Sequence, residues 1–136
     1  MDRMKLAVAG AAALALLAGQ ASMAADSVIS SRKAPASEVM MLPKYCWGQY
    51  LGYKGSQFHI PKRTCGVFMN HYCQALIYKN RAEMSIHPHK KRSNLGRARH
   101  ILRGNLKQMK KHPNCPLRSA VQTNLRSVEM QLQTLQ

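Results

Sequence analysis

Histidine, methionine and cysteine side chains occur at short spacings in two places. His87-x-His89 flanks a proline, and Met69-x-His71-x-Cys73 combines nitrogen and sulfur atoms. Copper accepts such soft or borderline ligands, so a copper-handling module is one alternative function. The competing interpretation puts His87 and His89 in a basic loop and Cys73 in a disulfide. We therefore predict no bound cofactor or metal, and keep His71, His87 and His89 as weak candidates.

Histidines also suggest a more distant alternative, a small secreted basic nuclease that works without a metal. His59, His71 and His100 are the candidates, but the sequence does not bring any two of them together. The chain has only five carboxylates, and no two of them are close enough in sequence to suggest a catalytic pair. We predict that the protein is not an enzyme and has no catalytic residues.

Positive charge is the strongest surface feature. The 136 residues include 21 Lys and Arg against 5 Asp and Glu, for a net charge of +16. No acid lies between Glu83 and Glu129, and Arg99, Arg103 and Lys107 recur at intervals of four, which predicts a ridge opposite the apolar stripe of a helix. We define the basic face by eight residues: Lys90, Lys91, Arg92, Arg99, Arg103, Lys107, Lys110 and Lys111.

A basic face of this kind binds anionic polymers by releasing their counterions. We expect an acidic protein or an anionic polymer as partner: exopolysaccharide, lipopolysaccharide or a membrane surface. Sequence-specific nucleic acid binding is not expected, because no recognition motif is present. The alternative is that the charge only keeps a small protein soluble.

The first 24 residues have the pattern of a secretory signal peptide. Arg3 and Lys5 precede an apolar run of about 13 residues, and Ser22-Met23-Ala24 places small residues at positions −3 and −1 for cleavage after Ala24. Cleavage after Ala25 is the alternative site. The apolar run is shorter than the roughly 20 residues that span a bilayer. We predict a cleaved signal peptide, no later transmembrane segment, and a bacterial periplasmic or secreted protein.

The mature chain is predicted to be all-α. A flexible arm (25–41) leads into a single domain (42–136), which opens with an irregular segment rich in glycine and aromatic residues. Three amphipathic helices follow. The first runs from about Gly66 to Met84, the second starts after a cap at Ser93 or Asn94, and the third starts at Pro116 and runs to the end.

Four cysteines in an oxidising compartment predict two disulfides. If the first two helices are antiparallel, the end of the second lies near the start of the first, which brings Cys115 close to Cys65. Cys46 is then left for Cys73. Of the three possible pairings we favour this one.

Two motifs resemble those of a family of exported proteobacterial proteins related to tetratricopeptide repeats (TPR). They are Leu42-Pro-Lys-Tyr-Cys46 and His71-Tyr-Cys73, the latter followed by Asn80-Arg-Ala82. The resemblance covers residues 42–136 and implies a short TPR-like helical hairpin with a further helix, no known catalytic residues, and surfaces that mediate protein interaction. The paired Tyr-Cys motifs of the family fit a bond between Cys46 and Cys73.

Overall fold

The computed structural model describes residues 34–50 and 58–136. The predicted signal peptide and most of the predicted arm lie outside the described residues, as do residues 51–57 of the glycine-rich segment. The described residues form six helices and no strand, which confirms the all-α prediction. None of these helices combines the length and the apolar character needed to cross a bilayer.

Three long helices build the body of the molecule. In chain order the helices are α1 (Ala36–Val39), α2 (Lys44–Tyr50), α3 (Lys62–Cys65), α4 (Met69–Met84), α5 (Pro88–Met109) and α6 (Arg118–Gln133). Helix α5 lies in the middle and packs against both α4 and α6, while α1 and α2 pack against α4. Short connections make α4 and α5, and then α5 and α6, antiparallel neighbours.

The start of α4 differs from the predicted one. Gly66 was expected in its first turn, but its φ of 75° is left-handed, and it ends α3 instead. A glycine adopts this conformation without the steric cost that a Cβ would impose. Helix α4 therefore begins at Met69, after the buried Val67 and the extended Phe68.

Helix α5 starts earlier than predicted. Pro88 was expected in a connector and the cap at Ser93 or Asn94, but Pro88 occupies the first turn and His87 precedes it as the cap. A proline is well suited to that position, since its missing N–H would have no helical partner there. Only Ser85, Ile86 and His87 remain to join α4 to α5.

The third helix also begins later than predicted. Cys115 and Pro116 belong to a turn, and α6 starts at Arg118 with Leu117 as its cap and ends at Gln133.

The aromatic segment is more regular than predicted. Residues Lys44–Tyr50 form a two-turn helix in spite of Gly48, since tertiary contacts outweigh the roughly 1 kcal/mol cost of a helical glycine. The Tyr45 ring stacks on that of Tyr72 with centroids 6.2 Å apart, and the indole N–H of Trp47 donates to the Leu42 carbonyl at 2.9 Å.

Packed structure also extends into the range predicted as an arm. Val39 in α1 is fully buried, and the Glu38 carboxylate accepts hydrogen bonds from the Arg81 guanidinium of α4 at 2.9 and 3.1 Å. The packed part of the chain therefore begins before Leu42, where the sequence analysis placed the start of the domain.

Both predicted disulfides are present. Cys46 of α2 is bonded to Cys73 of α4, and Cys65 of α3 is bonded to Cys115 in the turn before α6. All four cysteines are buried within the apolar core. The first bond holds α2 on α4, and the second ties the start of the bundle to the turn between α5 and α6.

Candidate functional site

Helix α5 carries most of the basic face. Because it packs against both α4 and α6, only a strip of its surface is left exposed to solvent. Its buried side chains recur three or four residues apart and point into the bundle: Leu95, Ala98, Leu102, Asn105 and Met109. With α4 on one flank and α6 on the other, the basic residues share the outward strip and its two edges.

The eight predicted residues differ in their exposure. Six have exposed positions: Lys90, Arg92, Arg103, Lys107, Lys110 and Lys111. Lys91 and Arg99 are half-buried. The basic residues lie along the full length of α5 and onto Lys110 and Lys111, which directly follow its last residue.

The predicted ridge does not lie opposite the apolar stripe. Arg103 leans toward α6, where its guanidinium binds Glu129 Oε1 at 2.6 and 3.1 Å, and Arg99 lies half-buried on the same flank. At 100° per residue, Arg99 stands about a quarter of a turn and Arg103 about a third of a turn from the buried stripe, rather than opposite it. Lys107 is the ridge residue that points outward, because α6 covers the side of α5 that the other two share.

Other contacts orient two further arginines. The Arg97 guanidinium lies 5.5 Å from the centroid of the Tyr78 ring on α4, a cation–π arrangement. A side-chain nitrogen of Arg92 donates to the main-chain carbonyl of Leu135 beyond α6. Arg97 is not among the eight predicted residues, and its contact with Tyr78 depends on the pairing of α4 with α5.

Helix α5 has an unusual charge distribution at its start. Its first turn contains no acidic residue, while Lys90 and Lys91 sit next to the N-terminal end, where the helix dipole already contributes positive charge. Helices normally carry acidic side chains there. No acidic side chain of this first turn therefore offsets the positive end of the helix dipole.

The weak metal candidates are not brought together. His71 is exposed near the start of α4, whereas His87 and His89 flank Pro88 beyond the end of that helix. Cys73 is bonded to Cys46. Over residues 34–50 and 58–136, no three His, Cys, Asp or Glu side chains are grouped as ligands of one metal ion.

The three candidate nuclease histidines lie in different parts of the fold. His59 precedes α3, His71 packs edge-on against Phe68 with ring centroids 6.2 Å apart, and His100 is exposed on α5. Within the described part of the chain, no hydrogen bond or ring contact joins any two of these histidines.

An open cleft lies beside the start of α4, and the sequence analysis did not predict it. Its volume is about 550 Å³. It is lined by Tyr50, His59, Ile60, Pro61, Lys62, Phe68, Met69, Asn70 and Gln74. Burial raises the pKa of Tyr50 to about 12, against the opposing charge of Arg81. The Lys62 ammonium lies 4.6 Å from the centroid of the Phe68 ring.

Comparisons with protein families, with curated proteins and with solved structures found no match for this chain. The family resemblance based on Leu42–Cys46 and on His71–Ala82 thus stays a prediction.

Proposed function

We propose that this chain is an exported, non-enzymatic, TPR-like binding protein whose basic face binds an anionic polymer or an acidic protein. The observation that carries the proposal is the distribution of charge on α5. Basic side chains follow the helix from Lys90 to Lys107 and continue at Lys110 and Lys111, while Glu129 neutralises Arg103 from α6.

Orientation supports a binding function over a purely solvating one. A side chain that only keeps a protein soluble gains nothing from a fixed direction, whereas Arg92 and Arg97 are directed by contacts to Leu135 and Tyr78. Oriented cations lose less conformational entropy when they bind an anion.

Two further features support the finer parts of the proposal. Both disulfides are of the kind that persists in oxidising compartments, which favours export. The succession of antiparallel helices α4, α5 and α6 is compatible with one and a half TPR-like repeats.

Heparin chromatography tests the proposal. Lys107→Glu combined with Lys110→Glu reverses two exposed charges of the basic face, and we expect elution at clearly lower salt. The matched control combines Lys44→Glu in α2 with Arg126→Glu in α6, which changes the net charge equally at exposed positions elsewhere. Equal shifts in both variants would mean that only net charge matters, and the proposal would fail.

A further inference from the structure

The last residue of α4 and the turn that follows it present two apolar side chains to solvent. Ile86 is 88% exposed and Met84 is 54% exposed. A single exposed aliphatic residue is ordinary, but here nearly the whole Ile86 side chain stands free on a turn of three residues. Burying it against an apolar phase would be favourable.

This turn projects beyond the elements packed beside it. Helix α1 is anchored at Arg81 by Glu38 (2.9 Å), and α6 is anchored where Gln131 Nε2 donates to Glu83 (3.4 Å). The first contact reaches α4 about one turn before its end at Met84, and the second reaches its penultimate residue, so both lie before the turn that carries Ile86. Ile86 thus lies at one tip of the long axis of the helical bundle.

Basic residues lie beside the tip, at the start of α5. Five of the six residues after Ile86 are basic or histidine: His87, His89, Lys90, Lys91 and Arg92. The nearby Glu83 is engaged by the Lys79 ammonium at 2.7 Å. A shallow hollow of about 440 Å³, wide enough for a phosphate group, is lined by Pro88, His89, Arg92 and Ser93.

We propose that this tip inserts Met84 and Ile86 into the surface of an anionic lipid bilayer, while Lys90 and Arg92 bind lipid phosphates. An apolar end with cations beside it matches the interface, where acyl chains lie directly beneath charged headgroups. Two side chains on a narrow turn offer far less than the roughly 800 Å² per partner of a stable protein interface, which disfavours a protein at this place.

This inference rests on the proposed function, in that it names a lipid surface as the anionic partner, but it uses only one end of the basic face. Lys107 lies 17 residues along α5 from Lys90, about 26 Å at the rise of an α-helix. That separation exceeds the Debye length of about 8 Å at physiological salt. A flexible polymer such as heparin contacts both ends of the basic face, whereas a bilayer at the tip interacts only with the end that contains Lys90.

Vesicle cosedimentation tests the proposal with the full mature chain. We expect binding to phosphatidylcholine vesicles containing about a third phosphatidylglycerol, and little binding to pure phosphatidylcholine. Ile86→Ser should weaken binding about tenfold, since a buried aliphatic side chain is lost. Phe68→Ser is the matched control: Phe68 is 54% exposed beside the other end of α4, and its removal should leave binding unchanged.

The outcomes separate the two proposals. Lys107→Glu with Lys110→Glu should lower heparin retention and leave vesicle binding nearly unchanged. Ile86→Ser should weaken vesicle binding and leave heparin retention nearly unchanged. Three outcomes would overturn the inserted tip: vesicle binding that is unchanged by Ile86→Ser, vesicle binding that Phe68→Ser weakens as much as Ile86→Ser does, or vesicle binding that does not require anionic lipid. If heparin retention is unchanged by the two lysine substitutions while vesicle binding depends on Ile86, the proposed function of the basic face is wrong and the inserted tip is supported.

Discussion

Asn124 of α6 donates a hydrogen bond to the hydroxyl of Tyr72 on α4, with 2.9 Å between Nδ2 and the oxygen. The two residues are 52 positions apart, and the bond links the first and third long helices directly. Tyr72 is almost fully buried, and its hydroxyl also bonds that of Tyr45. A buried hydroxyl without partners would be costly, so this network helps to specify how α6 sits on the bundle.

Removing the donor should loosen α6. We expect Asn124→Ala to lower the free energy of unfolding by about 1–2 kcal/mol, because the Tyr72 hydroxyl loses a buried partner. Denaturant unfolding measures this, and Thr123→Ala at an exposed position of the same helix is the control. Equal effects of the two substitutions would show that only helix propensity had changed.

Alkaline pH should destabilise the fold through its buried tyrosines. Burial raises the pKa of Tyr72 and that of Tyr50, the latter to about 12, whereas tyrosines in an unfolded chain ionise near pH 10. Above pH 10 the unfolded state therefore releases protons that the folded state retains. Stability present below pH 10 should fall as the pH rises toward 12.

Denaturant unfolding between pH 8 and about pH 11 measures this slope. Tyr72→Phe should flatten it, although the variant is less stable at pH 8 because it loses the bond from Asn124. Curves for the variant and the original chain that stay parallel would contradict the assignment to Tyr72.

Gly66 should tolerate no side chain. A Cβ at this residue would lie 2.5 Å from His112 Cδ2, and its φ of 75° is strained for other residues. We expect Gly66→Ala to cost about 2 kcal/mol, whereas Gly104→Ala, in open space on α5, should stabilise by about 0.5–1 kcal/mol. Thermal unfolding gives both values, and equal signs for the two variants would refute this account.

The Cys65–Cys115 bond should contribute strongly to stability. It closes a loop with a sequence separation of 50 residues. In the chain-entropy model, replacing both cysteines by alanine lowers the free energy of unfolding by about 4 kcal/mol. Denaturant unfolding measures the loss, and non-reduced peptide mapping of the unsubstituted chain checks the pairing. A peptide joining Cys65 to Cys73 would contradict it.

Glu129 should weaken anion binding by neutralising Arg103. Its carboxylate lies 2.6 Å from the guanidinium, so Glu129→Gln frees one charge of the basic face. We expect later elution from heparin and a salt dependence that is steeper by about 0.9 in log–log slope. Glu83→Gln, which removes an acid paired with Lys79 instead, is the matched control. A later elution of the control by the same amount would exclude a specific effect of Arg103.

Local patterns in the sequence predicted the helical architecture and the disulfide pairing. The spacing of Leu95, Ala98 and Leu102 identifies a buried stripe because a helix repeats every 3.6 residues. The pairing of Cys65 with Cys115 follows from connection lengths that make neighbouring helices antiparallel. The helix boundaries were predicted less accurately: Pro88 ends helices in many contexts but starts one here.

The tertiary structure alone decided which basic side chains face outward. Whether Arg103 binds Glu129, or Arg97 lies over Tyr78, depends on how α5 is rotated against α6 and α4. That rotation results from the packing of the whole core, and the residue spacing within one helix does not predict it. The sequence by itself determined the sign and amount of the charge and the helices that carry it. The packing of those helices decided that Arg103 is neutralised, that Lys107 points outward, and that Ile86 stands at an exposed tip.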